Sequence, residues 1–163
     1  MNEQLPGWIS AMQSFGLESM LQVFVAAVLG GFIGLEREWR GRDAGLRTNM
    51  LISMGACLFT VISINGFPLQ GSSAQDSARV AAGVVTGVGF LGAGAFIHTG
   101  SHTKGMTTAA TVWMVAAIGM AVGVQAYGLA VFASVATFVT LRFLQPVSKT
   151  IAKIDSHKES LDD

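Results

Sequence analysis

The stretch that decides the fold is residues 19–35, SMLQVFVAAVLGGFIGL, which contains 17 residues and no charged side chain. Glu18 precedes it and Glu36 follows it. A helix needs about 20 mainly apolar residues, and no fewer than about 17, to cross the hydrocarbon core of a bilayer. The stretch therefore predicts a membrane-spanning helix with a charge at each end.

Three further apolar stretches follow along the chain, at residues 48–69, 80–97 and 105–141. The last is too long for one crossing, and the sequence GVQAYG at 123–128 predicts a turn within it, with a re-entrant pair as the alternative. Hydrophobic residues make up 51% of the chain and charged residues 12%, about half the charged share of a soluble domain. We predict an all-α integral membrane protein of about five transmembrane helices, with segment 1–18, a membrane domain at 19–145 and a tail at 146–163.

The basic residues indicate the orientation, because loops rich in lysine and arginine stay in the cytoplasm. They lie after the first span, after the third span and in the tail, whereas the opposite side has Arg79 alone. Five crossings place the three basic segments on one side. The expectation is a periplasmic N-terminus and a cytoplasmic C-terminus, with no cleavable signal peptide because the first residues lack a basic region.

Glycine is concentrated inside the predicted spans, where small residues four apart allow helix backbones to approach closely. The predicted helix-packing glycines are Gly30, Gly34, Gly83, Gly87, Gly89, Gly92, Gly94 and Gly119. The contacts could lie within one tight bundle or between copies, and both remain open. A homo-oligomer, with a dimer favoured, is one expectation.

A short repeat predicts a functional cluster on the cytoplasmic side. GFIG at 31–34 and GLRT at 45–48 correspond to GFLG at 89–92 and GMTT at 105–108, as in two parallel hairpins. Two helix N-termini would then meet, capped by Thr48 and by Thr107 or Thr108, and such ends favour anions. The candidate residues are Glu36, Arg37, Arg40, Arg47, Thr48, Lys104, Thr107 and Thr108.

The alternative for this cluster is a solvated helix end. Glu36 and Arg40, like Glu38 and Arg42, have the favourable i, i+4 order, worth a few tenths of a kcal/mol when exposed. Arg47 fits this interpretation less well, because it lies at the mouth of an apolar stretch.

Asp76 and Arg79 form a candidate pair on the periplasmic side, either at a helix start or in recognition of an ion or headgroup. An enzyme is the weakest hypothesis. His98 and His102 lack a third ligand at metal spacing, and no serine has an adjacent base. The single cysteine excludes an internal disulfide, and zero net charge gives no attraction to nucleic acid.

The motifs together resemble the MgtC/SapB family of bacterial inner-membrane proteins. The matching segments are GLEREWRG at 34–41, AGLRT at 44–48, Asp76 with Arg79, GVGFLGAG at 87–94 and GMTTAATVW at 105–113. The resemblance covers about residues 20–128. It departs from the longer members, which carry a soluble C-terminal domain, so properties of that domain are not carried over.

The resemblance implies a role in magnesium homeostasis, growth in low magnesium and, in some members, virulence. Family members are associated with binding other membrane proteins, including the ATP synthase. We favour a membrane regulator or interaction module, with a magnesium transporter or channel subunit acting as an oligomer as the alternative. The expected partners are the lipid bilayer, further copies and other membrane proteins. No cofactor is expected, and Mg²⁺ stays open because the membrane core holds few carboxylates and many arginines.

Overall fold

The computed structural model describes residues 16–65, 77–97 and 105–143, all in helices and their connections. Asp76, Lys104, His98, His102 and most of the predicted terminal segments lie outside these residues. The five helices of the described chain are α1 (Leu17–Trp39), α2 (Leu46–Asn65), α3 (Ser77–Ile97), α4 (Met106–Gly123) and α5 (Tyr127–Phe143). The predicted all-α membrane fold is confirmed.

The helices follow the apolar stretches closely. Helices α1, α2 and α4 are long and apolar enough to cross a membrane, whereas the apolar parts of α3 and α5 are shorter, Arg79–Ala95 and Tyr127–Phe143. The long uncharged stretch divides where the sequence predicted, since α4 ends at Gly123 and α5 begins at Tyr127. Gln125 takes the left-handed conformation in this turn, with φ of 62°.

Successive helices run in opposite directions, which gives the bundle two distinct ends. One end, here called the loop end, contains the connection 40–45, the start of α4 and the end of α5, as contacts from Arg37 to Thr108 and from Arg40 to Arg142 show. The other, the turn end, contains the start of α1 and the turn after α4, where Gln22 donates to the carbonyls of Val122 and Gly123. The alternation agrees with successive crossings.

Helices α1, α2 and α4 all contact one another, and glycines bring the backbones of α1 and α4 close to that of α2. A Cβ at Gly30 would lie 2.6 Å from the carbonyl oxygen of Asn49, and one at Gly34 would lie 2.7 Å from the Cα of Leu46. On α4, a Cβ at Gly119 would overlap the carbonyl oxygen of Ser53. Glycine is therefore required at these contacts, because packing is the main attraction between helices in lipid.

The glycines of α3 differ. A Cβ at Gly83, Gly87, Gly89 or Gly94 would meet no atom of the described chain within 4 Å. Among the described residues these four glycines therefore make no close helix contact, and their role in helix packing stays a prediction. Gly92 faces α4, where a Cβ would lie an ordinary 3.5 Å from that of Ala109.

The outer surface is strongly apolar. Large apolar side chains on all five described helices are more than half exposed, including Phe24, Leu51, Phe90, Met106 and Phe132. Such a surface is unusual on a soluble monomer and fits contact with hydrocarbon. Together with the three spanning helices, it places the chain in a membrane.

Candidate functional site at the end of alpha 1

The connection after α1 begins with a tight reversal. The Gly41 N–H donates to the carbonyl of Glu38 at 2.9 Å, and the Arg42 N–H donates to that of Arg37 at 3.1 Å. Gly41 itself has φ of 61°. This is a Schellman motif, in which glycine accepts the left-handed conformation at little cost. The reversal brings the last turn of α1 against the start of α2.

Glu38 links these two helices. Its Oε2 accepts a hydrogen bond from the Leu46 main-chain N–H at 2.7 Å, so a carboxylate occupies the positive N-terminal end of α2. The sequence suggested that Glu38 pairs with Arg42. In the structure the Glu38 carboxylate bonds to the first residue of the next helix, because the chain reverses between them. The prediction that Thr48 caps α2 is wrong: the helix begins at Leu46, and Thr48 is an exposed residue of its first turn.

Arg37 links α1 to α4. Its side chain is 2% exposed, and its Nη2 donates to Thr108 Oγ1 at 2.5 Å. Thr108, 5% exposed, lies in the first turn of α4. The prediction that Thr107 or Thr108 caps α4 is wrong, since the N-cap is Gly105 and no side chain of the described residues caps it. Thr108 instead accepts the guanidinium.

Glu36 and Arg40 form the third link, towards α5. Arg40 Nε lies 2.6 Å from Glu36 Oε1, an ion pair without the alignment of a full hydrogen bond. Arg40 Nη2 also donates to the main-chain carbonyl of Arg142 at 3.3 Å. Glu36 is 4% exposed, so the predicted i, i+4 pair is present but is not the solvated pair of an exposed helix end.

Asn49 in the first turn of α2 bonds to the end of the connection 40–45, and sequence analysis did not identify it. Its Nδ2 donates to the carbonyls of Ala44 and Gly45, each at 2.8 Å, while the residue itself is fully buried. The available signal was an asparagine at the second position of the apolar stretch 48–69. Its two hydrogen bonds fix the backbone of the connection at Ala44 and Gly45.

The predicted cytoplasmic cluster thus separates into two groups. Glu36, Arg37, Arg40 and Thr108 converge at the loop end, whereas Arg47, Thr48 and Thr107 are exposed on its surface. Lys104 lies outside the described residues. At the turn end, Arg79 of the predicted Asp76–Arg79 pair is exposed on α3.

The turn end has its own connections, which sequence analysis also missed. Gln22 is 4% exposed and donates to Gly123 at 3.2 Å, and Gln125 Nε2 donates to Glu18 Oε1 at 2.5 Å. Glutamine in an apolar stretch was the only sequence signal. The turn end is therefore joined through two amide side chains, one of which donates to the Glu18 carboxylate, whereas the loop end contains two arginines beside a buried carboxylate.

Several buried polar atoms of the loop end have no hydrogen-bond partner in the described part of the chain. They include Glu36 Oε2, Arg37 Nε and Asn49 Oδ1. Buried polar atoms are usually satisfied by protein, water or an ion. The same residues contain no group of three His, Cys, Asp or Glu side chains that could hold a metal ion.

These features define a polytopic helical membrane protein with a buried, arginine-rich cluster at one end of the bundle. The chain belongs to the MgtC family, whose model matches residues 23–150. It is 41% identical over 143 residues to "Putative magnesium transporter YhiD" of Escherichia coli K12, covering 86% of this chain and 66% of that protein.

Other relatives extend the comparison. Over 141 residues the chain is 36% identical to "Protein MgtC" of Salmonella typhi, covering 86% of this chain and 58% of the relative. It is also 40% identical over 145 residues to a Synechocystis protein, covering 89% of this chain and 60% of the relative. The chain thus spans roughly three fifths of the length of these relatives. No solved structure matches it.

Proposed function

We propose that the protein acts in magnesium-related homeostasis as a membrane regulator that binds another membrane protein. The family relationship supports the connection to magnesium, through relatives whose names refer to magnesium transport or to MgtC. The observation that carries the regulatory role is the composition of the buried cluster. Around Glu36 lie two guanidinium groups, those of Arg37 and Arg40, so the cluster has one positive charge in excess.

This charge balance opposes a magnesium pathway through one chain. Mg²⁺ prefers carboxylates, carbonyls and retained waters in octahedral geometry. Among the described residues, the one buried carboxylate of the loop end is that of Glu36, which is already ion-paired at 2.6 Å. In addition, the backbones of α1, α2 and α4 meet at glycines, so the centre of the bundle is filled by protein.

The exposed surface of the loop end suits a partner better. Trp39 at the end of α1 is 80% exposed, Arg42 is exposed on the connection 40–45, and Arg47 is exposed in the first turn of α2. Aromatic residues and arginine are enriched at protein interfaces, whereas the packed residues beneath hold the surface in shape. Arg47 is therefore the residue expected to contact the partner or an anionic group on it.

A flux experiment distinguishes the regulator from the transporter. Liposomes containing the purified chain and a magnesium-sensitive dye are expected to show no Mg²⁺ entry above that of empty liposomes, because the cluster repels cations. Magnesium flux that is lost on Glu36→Gln would instead establish the alternative, a transporter or channel subunit acting as an oligomer. Asp76→Asn provides the same comparison for the other predicted carboxylate.

A second experiment measures whether the protein restores growth of a deletion strain in low magnesium. Arg47→Ala is expected to abolish rescue while the protein remains inserted, as judged by membrane fractionation and thermal stability. Arg79→Gln, which removes one exposed arginine at the turn end, is the matched control and is expected to rescue. Full rescue by Arg47→Ala would overturn the proposed contact surface.

We further propose that the chain resides in the bacterial inner membrane with its N-terminus periplasmic and the loop end cytoplasmic. The basic residues of the loop end support this orientation. A phosphatase reporter, active only after export, is expected to be inactive when fused after Asp163 and active when fused after Gln125. The reverse pattern would contradict the orientation.

A further inference from the structure

Helices α1 and α5 lie side by side and present a common outer surface. Phe32 of α1 stacks on Phe138 of α5, with the ring centroids 4.7 Å apart. Val28 precedes Phe32 by one helical turn and Val135 precedes Phe138 by one turn, and both valines are exposed. Residues three or four apart share a helix face. These four side chains therefore form one apolar surface, here called the α1–α5 face.

At the loop end, the α1–α5 face ends in an aromatic ring and a positive charge. Trp39 lies about 10 Å along α1 from Phe32, and Arg142 lies about 6 Å along α5 from Phe138, at 1.5 Å per residue. Both spacings are close to whole helical turns, and both residues are exposed. The main-chain carbonyl of Arg142 accepts from Arg40 Nη2 at 3.3 Å, so the two helix ends lie against each other.

The charge of Arg142 is not balanced from the side of α1. The charge of Arg40 is matched by Glu36, whose Oε1 lies 2.6 Å from its Nε. The exposed carboxylates of the described loop end are those of Glu38 and Asp43. Glu38 bonds to the first residue of α2, and Asp43 belongs to the connection that leads into α2. The α1–α5 face is therefore positive at its loop end and apolar over the rest of its length.

We propose that the α1–α5 face binds an anionic phospholipid, with its acyl chains along the apolar part and its phosphate at Arg142. Tryptophan is enriched where a membrane helix passes from hydrocarbon to headgroups, so Trp39 places Arg142 at the depth of the phosphates. Basic sites of membrane helices on the cytoplasmic side bind anionic headgroups, and the loop end is cytoplasmic in the proposed orientation.

Charge complementarity favours a lipid over a second copy of the chain on this face. A symmetric pair of chains would use the same surface twice, so it would bring two copies of Arg142 to the same depth in the membrane. Like charges close together are unfavourable, whereas an anionic headgroup supplies the opposite charge.

Native mass spectrometry of the full chain in detergent tests the site, with phosphatidylglycerol and phosphatidylcholine supplied in equal amounts. We expect one phosphatidylglycerol per chain in preference to phosphatidylcholine. Arg142→Gln is expected to lower this preference about fivefold, which corresponds to about 1 kcal/mol for one arginine near an anionic lipid surface. The variant should fold normally, because the bond between Arg40 and residue 142 uses a main-chain carbonyl. An unchanged thermal midpoint checks this.

Arg47→Gln is the matched control, because it removes the same charge at the same end of the bundle but on α2. Its preference for phosphatidylglycerol is expected to equal that of the wild type. Arg47 is also the residue on which the proposed regulatory function depends. Lipid binding and regulation can therefore fail separately.

Three results would overturn the site. The first is equal binding of the two lipids by the wild type. The second is an equal loss of preference in both arginine variants, which would mean that the whole loop end attracts anionic lipid without a site. The third is a lipid-free dimer that dissociates on Arg142→Gln, which would assign the α1–α5 face to a second copy.

Discussion

Gly119→Ala is expected to destabilise the bundle severely, although it adds only one methyl group. The new Cβ would overlap the main-chain carbonyl oxygen of Ser53, and neither backbone can rotate away as a side chain could. Overpacking in cores costs about 1–3 kcal/mol, occasionally more. Thermal unfolding in detergent, followed by circular dichroism, should show a lower midpoint and loss of monodisperse protein.

Gly87→Ala is the matched control for this substitution. Gly87 lies in α3, and its added Cβ would meet no described atom within 4 Å. The exchange removes a poor helix former, which is worth about 1 kcal/mol in soluble helices. We therefore expect an unchanged or higher midpoint. Equal destabilisation by both variants would show that glycine has a general role here and not a role in contacts with α2.

Thr108→Val is expected to have the second large effect. The change preserves shape but removes the oxygen that accepts from Arg37 Nη2. Because Arg37 is 2% exposed, its guanidinium would be left buried without that acceptor. Hydrogen bonds to charged groups contribute about 1.5–3 kcal/mol. Denaturant unfolding of the purified protein measures the loss.

Thr111→Val serves as the comparison, because Thr111 lies in the same helix and is also buried. Its hydroxyl donates only to the Thr107 carbonyl of its own helix. The expected loss is below about 1 kcal/mol, since no charged group loses a partner. A loss as large as that of Thr108→Val would assign the effect to any buried hydroxyl of α4.

The membrane fold could be predicted from the sequence because uncharged stretches have a length set by the bilayer. The division between α4 and α5 at residues 124–126 followed from glycine in a polar turn. The burial of Arg37 and the exposure of Arg47 could not be predicted. Both arginines flank apolar stretches, and which one faces the bundle depends on helix rotation and on the reversal at Gly41.

The contacts of Glu38 and Asn49 were hidden for a related reason. Spacing along one helix suggested a pair between Glu38 and Arg42. The chain reversal at Gly41 instead brings the main-chain N–H of Leu46 to the Glu38 carboxylate. Asn49 donates to main-chain carbonyls, and because every residue has such a carbonyl, the sequence does not identify the acceptor. Bonds from a side chain to the main chain of a turn have no periodic signature in the sequence.

The end of α1 is a buried junction that joins α2, α4 and α5, not a solvated helix end. A double-mutant cycle of Arg37→Gln and Thr108→Val, measured by denaturant unfolding, tests it most directly. Residues in direct contact couple by about 0.5–3 kcal/mol, and we expect the upper half of this range for a buried charged hydrogen bond. Additive effects of the two substitutions, with no coupling, would contradict the account.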